Sequence, residues 1–252
     1  MTARSALFTV ILVMASICQA VAAMPSQTYP DLPYASEDDP NDLQRLNLIV
    51  PERDEAMPLL IWIGGGAWSY VDRHQEMNLV QKIADSGIVV ASVGHRLSPA
   101  TWQDPTKTEG VQHPAHIEDI AAATGWLLLH SDEYKIDRNR VYVGGFSSGA
   151  HLAALLVSDP KYLLENGFST DDIHGVIAFG GAYDIPDYHR AFAEGSRPHF
   201  AVEHVEAVFG SDREGMIAAS PITYAEDLVT PMLLVSDRNT YNYTRLYEDA
   251  LV

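Results

Sequence analysis

Cysteine is almost missing from this sequence: Cys18 is the only one among 252 residues. It lies within an N-terminal segment that we expect to be removed, so the processed protein would contain no thiol. A chain without cysteine has no disulfide, no cysteine-ligated zinc and no cysteine nucleophile. Those three kinds of chemistry are excluded from the expected processed domain.

Positive charge is also scarce. Lysine and arginine number 16 against 34 aspartates and glutamates, which gives a formal net charge of −18. Phosphate backbones and anionic headgroups repel such a chain, so we predict no nucleic-acid partner. The 10 histidines show neither H-E-x-x-H nor H-x-x-E-H spacing. We therefore predict no metal and no other cofactor.

Long apolar runs are absent except near the N-terminus. Residues 6–15 are apolar, follow Arg4 and precede the small residues of 20–23. This pattern is typical of a secretory signal peptide, and the run is too short to favour a membrane span. We predict a signal peptide over residues 1–23, one domain over residues 24–252, and a periplasmic or secreted protein with no stable membrane anchor. An uncleaved N-terminal anchor is the alternative.

Apolar strand-like runs alternate with amphipathic helix-like runs from Tyr29 onward. This alternation predicts an α/β fold with a mostly parallel sheet flanked by helices. The predicted strands are Leu46–Val50, Pro58–Ile63, Ile88–Val93, Val141–Val143, Gly175–Phe179 and Met232–Val235, and the predicted helices are about Gln75–Ala84, one opening at Pro114, and one after Gly149.

The segment Gly145-Phe146-Ser147-Ser148-Gly149 lies between an apolar strand and a helix. A G-x-S-x-G turn in that position is a nucleophile elbow, which projects the serine hydroxyl from the sheet edge at the positive end of a helix. Ser147 is therefore the candidate nucleophile. The alternative is a glycine-rich turn whose serine has no catalytic role.

A second glycine-rich segment, Gly64-Gly65-Gly66-Ala67-Trp68, follows the strand Pro58–Ile63. Consecutive glycines let backbone N–H groups turn inward, so Gly65 and Gly66 together with the N–H of Ser148 would form an oxyanion hole. A phosphate cradle does not fit, because neither G-K-S/T nor G-x-G-x-x-G is present. A plain tight turn remains the alternative.

These motifs resemble those of α/β-hydrolases of the esterase/lipase type, close to the hormone-sensitive-lipase-like and carbohydrate-esterase-like members. Gly64 stands where that family usually has a histidine. The segments that carry the resemblance are Ile63–Trp68, His95–Pro99, His113–Asp119, Gly145–Leu155, Gly181–Asp184 and Ser220-Pro221.

The resemblance implies an α/β-hydrolase fold and two-step acyl transfer on a small-molecule ester, with Ser147 as nucleophile, then an acid, then a histidine in chain order. The acid is expected after Met232–Val235. Asp237 is the candidate, although the family's catalytic aspartate aligns with Asn239, and Asp184 is a further possibility.

The expected histidine is not found. The last histidine is His204, upstream of the acid, and the sequence given ends at Val252. We therefore expect an α/β-hydrolase that is C-terminally truncated. In the family, the position of His151 holds a histidine without a proton-transfer role. His95 and His74 are expected at the pocket wall or in polar contacts.

His113 and His116 are expected at the surface or as helix caps. Residues 183–220 are rich in His, Arg, Glu and Phe and are predicted to form a lid-like insertion. The aromatic side chains there either line an acyl or alcohol site or pack a helical insert, and the sequence leaves both open.

Two functions follow. The first is an exported serine carboxylic-ester hydrolase acting on short-acyl esters. The alternative is a truncated or catalytically impaired homologue that binds without turnover. A peptidase of the same fold is less favoured, because the oxyanion segment resembles that of esterases. Oligomeric state is not predicted.

Overall fold

The computed structural model describes residues 24–35 and 42–252. The predicted signal peptide, residues 1–23, lies outside the described residues. Within the described ranges, no helix is both long and apolar enough to cross a membrane.

In the described part of the chain, seven strands form one sheet in the order β1-β2-β4-β3-β5-β6-β7. The first two strands are antiparallel to their neighbours, and β4, β3, β5, β6 and β7 run parallel. This confirms the predicted α/β fold with a mostly parallel sheet. The strands are β1 (Ser26–Pro33), β2 (Arg45–Pro51), β3 (Met57–Ile63), β4 (Val89–Val93), β5 (Ile136–Phe146), β6 (Gly175–Phe179) and β7 (Met232–Val235).

Strand β1 was not predicted. It contains Pro30 and Pro33, and prolines argue against a central strand because they cannot donate to the ladder. The structure places β1 at the edge, paired only with β2, with a register irregularity between Tyr29 and Leu32. An edge position tolerates the missing N–H groups.

Helices cover both faces of the sheet. Side chains of β3 alternate between the faces, so Leu59 and Ile61 join the main core under α2 and α3, whereas Leu60 and Trp62 pack with α1. The α-helices are α1 (Met77–Ala84), α2 (Ala115–Leu129), α3 (Ser148–Ser158), α4 (Lys161–Glu165), α5 (Ile185–Ala193), α6 (Ala207–Phe209), α7 (Arg213–Ala218) and α8 (Tyr241–Ala250), with a π-helical segment at Ala201–Glu206.

One strip of the sheet stays open on the α1 face. Register places Tyr142 beside Leu60 and Phe146 beside Phe179, so these side chains share that face. Tyr142, Phe146, Phe179 and Leu233 are 37%, 46%, 39% and 58% exposed. An uncovered apolar strip therefore runs across β5, β6 and β7 beside the elbow.

Candidate active site

The elbow has the local geometry that its sequence predicts. Ser147 joins the end of β5 to the start of α3 with φ 54° and ψ −116°, and its N–H donates to Phe179 O at 2.8 Å. A non-glycine residue in this region is strained. The flanking glycines permit it: a Cβ at Gly149 would lie 2.0 Å from Ile63 O, and one at Gly145 would lie 2.4 Å from the Gly149 carbonyl carbon.

A cavity of about 90 Å³ opens at the elbow. Its walls are the glycines and alanines of the surrounding turns together with Trp68, Ser147, Ser148, Tyr188, Thr240 and Tyr243. A larger cleft of about 720 Å³, beside Arg73 and Lys107, does not include Ser147. The cavity at the elbow, although smaller, is the one that contains the predicted nucleophile.

The glycine-rich segment after β3 forms another wall of this cavity. Ala67 and Trp68 have positive φ values of 51° and 57°, and a Cβ at Gly66 would lie 2.6 Å from Val71 N. The Gly66 N–H donates to Ser148 Oγ at 3.1 Å, so this donor already has an acceptor. Among the described residues, the N–H groups of Gly65 and Ser148 have none. These two remain free to bind an oxyanion.

His151 holds Trp68 in this wall. Its Nδ1 accepts from Trp68 Nε1–H at 3.2 Å, and its Nε2–H donates to Ala219 O at 2.8 Å. Burial lowers the pKa of His151 to about 3. Both ring nitrogens of a neutral imidazole are thus occupied, which fits a supporting contact and leaves no free nitrogen for proton transfer.

An ion pair between Arg96 and Asp119 stabilises the loop that contacts Trp68. Arg96 Nη2 donates to the buried Asp119 at 2.7 Å, and two residues further on Ser98 N–H donates to Trp68 O at 2.9 Å. His116 was expected at the surface or as a helix cap, and this prediction was wrong. His116 is 1% exposed and its Nε2 lies 2.9 Å from Ser98 Oγ, because the first turn of α2 packs against the loop that contains Arg96 and Ser98.

The Asp237 carboxylate is bound within its own loop. Oδ1 accepts from Asn239 N at 2.9 Å, from Thr240 N at 2.9 Å and from Thr240 Oγ1 at 2.9 Å. These hydrogen bonds lower the pKa of Asp237. Asp184 similarly accepts from Asp187 N at 2.9 Å and caps α5. In the loop after β7, residues 236–240, it is Thr240 and not Asp237 that lines the cavity at Ser147.

No histidine lines the cavity, although all 10 lie within the described ranges. His95 is fully buried, and its Nδ1 lies 2.6 Å from Arg96 O. His74 is half-exposed and lies beside Asp31 and Asp72. The described residues also contain no group of three or more His, Cys, Asp or Glu that could hold a metal ion. The described residues therefore place the predicted nucleophile Ser147 in a cavity that no histidine lines.

The stretch predicted as a lid-like insertion, residues 183–220, contributes Tyr188 to the cavity and buries Phe209 in the core. Sequence reasoning named Tyr188 among the aromatic candidates. It missed Thr240, the last residue of the predicted acid loop, and Tyr243, in the first turn of α8, whose only signal is their position in the chain.

Comparison with known proteins settles the family. The BD-FAE family profile matches residues 46–240, which is more than half of the chain. The chain belongs to the BD-FAE family. This BD-FAE chain is an α/β-hydrolase of the esterase/lipase type, as the sequence motifs predicted.

Individual relatives agree with the family. The BD-FAE chain is 29% identical to the probable carboxylic ester hydrolase LipM of Mycobacterium tuberculosis over 72% of this chain and 41% of LipM. It is 31% identical to esterase LipC of the same organism over 71% of this chain and 43% of LipC. The chain thus spans about two fifths of the length of these relatives.

Solved structures show the same fold. The crystal structure of esterase B from Lactobacillus rhamnosis superposes with a TM-score of 0.73 at 22% identity, covering 98% of this chain and 77% of that chain. At that identity the likeness concerns architecture alone. It shows that the two chains share one fold.

Proposed function

We propose that this chain is a serine carboxylic-ester hydrolase in which Ser147 attacks the ester carbonyl. The observation that carries the proposal is the strained elbow, which places Ser147 in a cavity next to Ser148. The N–H groups of Ser148 and of Gly65, in the glycine-rich segment after β3, have no acceptor among the described residues. Donors aimed at the developing oxyanion stabilise acyl-transfer transition states. Gly66 contributes by holding Ser148 Oγ, and Asp237 is the proposed acid.

Small acyl groups suit this cavity. The cavity volume of about 90 Å³ is small beside the roughly 300–1,000 Å³ of common ligand pockets, which favours a short acyl chain over a long one. We propose short-acyl esters of small alcohols as the substrates. The N-terminal signal pattern supports an exported enzyme, acting in the periplasm or outside the cell.

The second candidate is binding of esters without turnover. Two observations favour it: among the described residues no histidine lines the cavity, and the Asp237 carboxylate is engaged within its own loop. A serine hydroxyl is a weak nucleophile unless a base takes its proton.

Hydrolysis of p-nitrophenyl acetate separates the two candidates. Purified protein should release p-nitrophenolate well above the rate of Ser147→Ala, and Ser211→Ala, an exposed serine, should match the wild type. Wild type and Ser147→Ala at the same rate would overturn the hydrolase proposal and leave ester binding.

A further inference from the structure

Tyr188 brings a phenol hydroxyl to the site. It lies on α5, and its ring lines the cavity that contains Ser147. The hydroxyl lies 3.1 Å from His204 Nε2 and has no second hydrogen-bond partner among the described residues. Because a hydroxyl can donate one hydrogen bond and accept others, the Tyr188 hydroxyl can still form a further hydrogen bond.

His204 is fixed by its surroundings. It is 4% exposed, and its ring is packed among Trp68, Trp102, Phe192 and Phe200 at centroid distances from 5.4 to 6.4 Å. Burial lowers the pKa of His204 to about 4, so the imidazole is neutral near neutral pH. A ring held this tightly can present only one nitrogen to Tyr188.

The tautomer of His204 decides which way the hydrogen bond runs. Its Nδ1 is buried without a partner in the described residues. A buried N–H without an acceptor is rarer in proteins than an acceptor without a donor, so the hydrogen belongs on Nε2. The Nε2–H then donates to the Tyr188 oxygen, and the Tyr188 O–H hydrogen is left free to donate into the cavity.

A second hydrogen bond joins α5 to the π-helical segment. His189 follows Tyr188 on α5, and its Nε2 lies 2.9 Å from Glu206 Oε1. Glu206 belongs to the same π-helical segment as His204. Two adjacent links between α5 and the π-helical segment hold the phenol in one orientation. Such fixed donors need little rearrangement when charge develops in the substrate.

We propose that the Tyr188 hydroxyl, oriented by His204, donates a hydrogen bond to the alcohol oxygen of the bound ester. This inference rests on the proposed ester hydrolysis. In the acylation step a bond forms between Ser147 Oγ and the acyl carbon, the bond from that carbon to the alcohol oxygen breaks, and its electron pair stays on that oxygen. The proton lost by Ser147 ends on the departing alcohol, while Tyr188 keeps its own proton.

This assignment gives the two residues different roles. Tyr188 touches the reacting ester and strengthens its contact as negative charge grows on the alcohol oxygen. His204 is a positioning residue that acts through Tyr188. The backbone N–H groups of Gly65 and Ser148 serve the carbonyl oxygen, so the two oxygens of the ester have separate donors.

Leaving-group dependence tests the proposal. Ethyl acetate and p-nitrophenyl acetate carry the same acyl group, but ethoxide needs help to depart and p-nitrophenolate does not. Tyr188→Phe should lower kcat/KM for ethyl acetate by about tenfold or more, the effect of one lost hydrogen bond, and for p-nitrophenyl acetate by less than about threefold. A pH-stat follows the first ester and absorbance the second.

Variants at His204 separate positioning from packing. His204→Gln keeps an N–H donor near Tyr188 and should retain most of the ethyl acetate rate, whereas His204→Phe fills the aromatic cage without a donor and should lose it. Tyr188→Phe combined with His204→Phe should be no worse than Tyr188→Phe alone, because both remove one interaction. Tyr142→Phe, on the open sheet face, is the control, and melting curves check that each variant folds.

The outcomes are distinct. Equal losses for both esters in Tyr188→Phe, or independent losses in the double variant, would overturn the leaving-group role and leave ester hydrolysis standing. Wild-type protein that hydrolyses neither ester faster than Ser147→Ala would overturn the hydrolase proposal, and the role of Tyr188 with it.

Discussion

Replacing Gly149 by alanine tests whether the elbow is held by close backbone packing. The new Cβ would lie 2.0 Å from Ile63 O and 2.7 Å from Gly64 O, both backbone atoms that cannot rotate away. Backbone must therefore move by about 1 Å or more, and overpacking of this kind destabilises by about 3 kcal/mol. For a domain of this size the melting temperature should fall by about 6–12 °C.

Thermal melts and urea titrations measure this change. Gly215→Ala is the matched control, because its Cβ would meet nothing closer than 3.5 Å and the residue lies inside α7. Alanine is the better helix former there, so the control should be stabilised by up to about 1 kcal/mol. A Gly149→Ala protein that melts within about 2 °C of the wild type would refute the packing argument.

Three further predictions concern acid stability, the acid loop and the open sheet face. The pKa of His151 is about 3 in the folded chain, so between pH 7 and pH 5 only the unfolded chain binds a proton there. The free energy of unfolding therefore falls as the pH falls, by about 2 kcal/mol at pH 5. Urea titrations at both pH values should show that His151→Phe loses less stability between pH 7 and pH 5 than the wild type. An equal loss in the two proteins would contradict the role given to His151. Asp237→Ala should be less stable than the wild type, because the N–H groups of its loop lose their acceptor, and Asp237→Asn, which keeps an oxygen there, should lose less stability. Equal losses in a denaturant titration would argue against the loop contacts. Leu233→Lys should change the free energy of unfolding by less than about 0.5 kcal/mol and reduce binding of a hydrophobic dye, because Leu233 is 58% exposed; a cooperative loss of stability would show that the strip is covered.

Patterns along the chain predicted most of the fold, because short continuous apolar runs mark most of its strands. The runs at Gly175–Phe179 and Met232–Val235 match β6 and β7 residue for residue. Strand β1 escaped detection because its prolines contradict strand propensity, and only the edge position, a tertiary property, makes them acceptable.

The site was predictable where chemistry requires a particular residue at a particular spacing. The elbow around Ser147 and the glycines after β3 are of that kind. The roles of His151 and His116 were not, because an imidazole serves equally as base, cap or buried hydrogen-bonding group, and its neighbours in space decide which. Tyr243 comes to the cavity through the packing of α8, which no local pattern encodes.

Covalent labelling tests the identity of the nucleophile most directly. An alkyl fluorophosphonate reacts with an activated serine hydroxyl and adds a fixed mass to it. Intact-protein mass spectrometry should show one adduct, peptide mapping should place it on Ser147, and Ser147→Ala should stay unlabelled. No adduct on the wild type, or equal labelling of Ser147→Ala, would contradict the account.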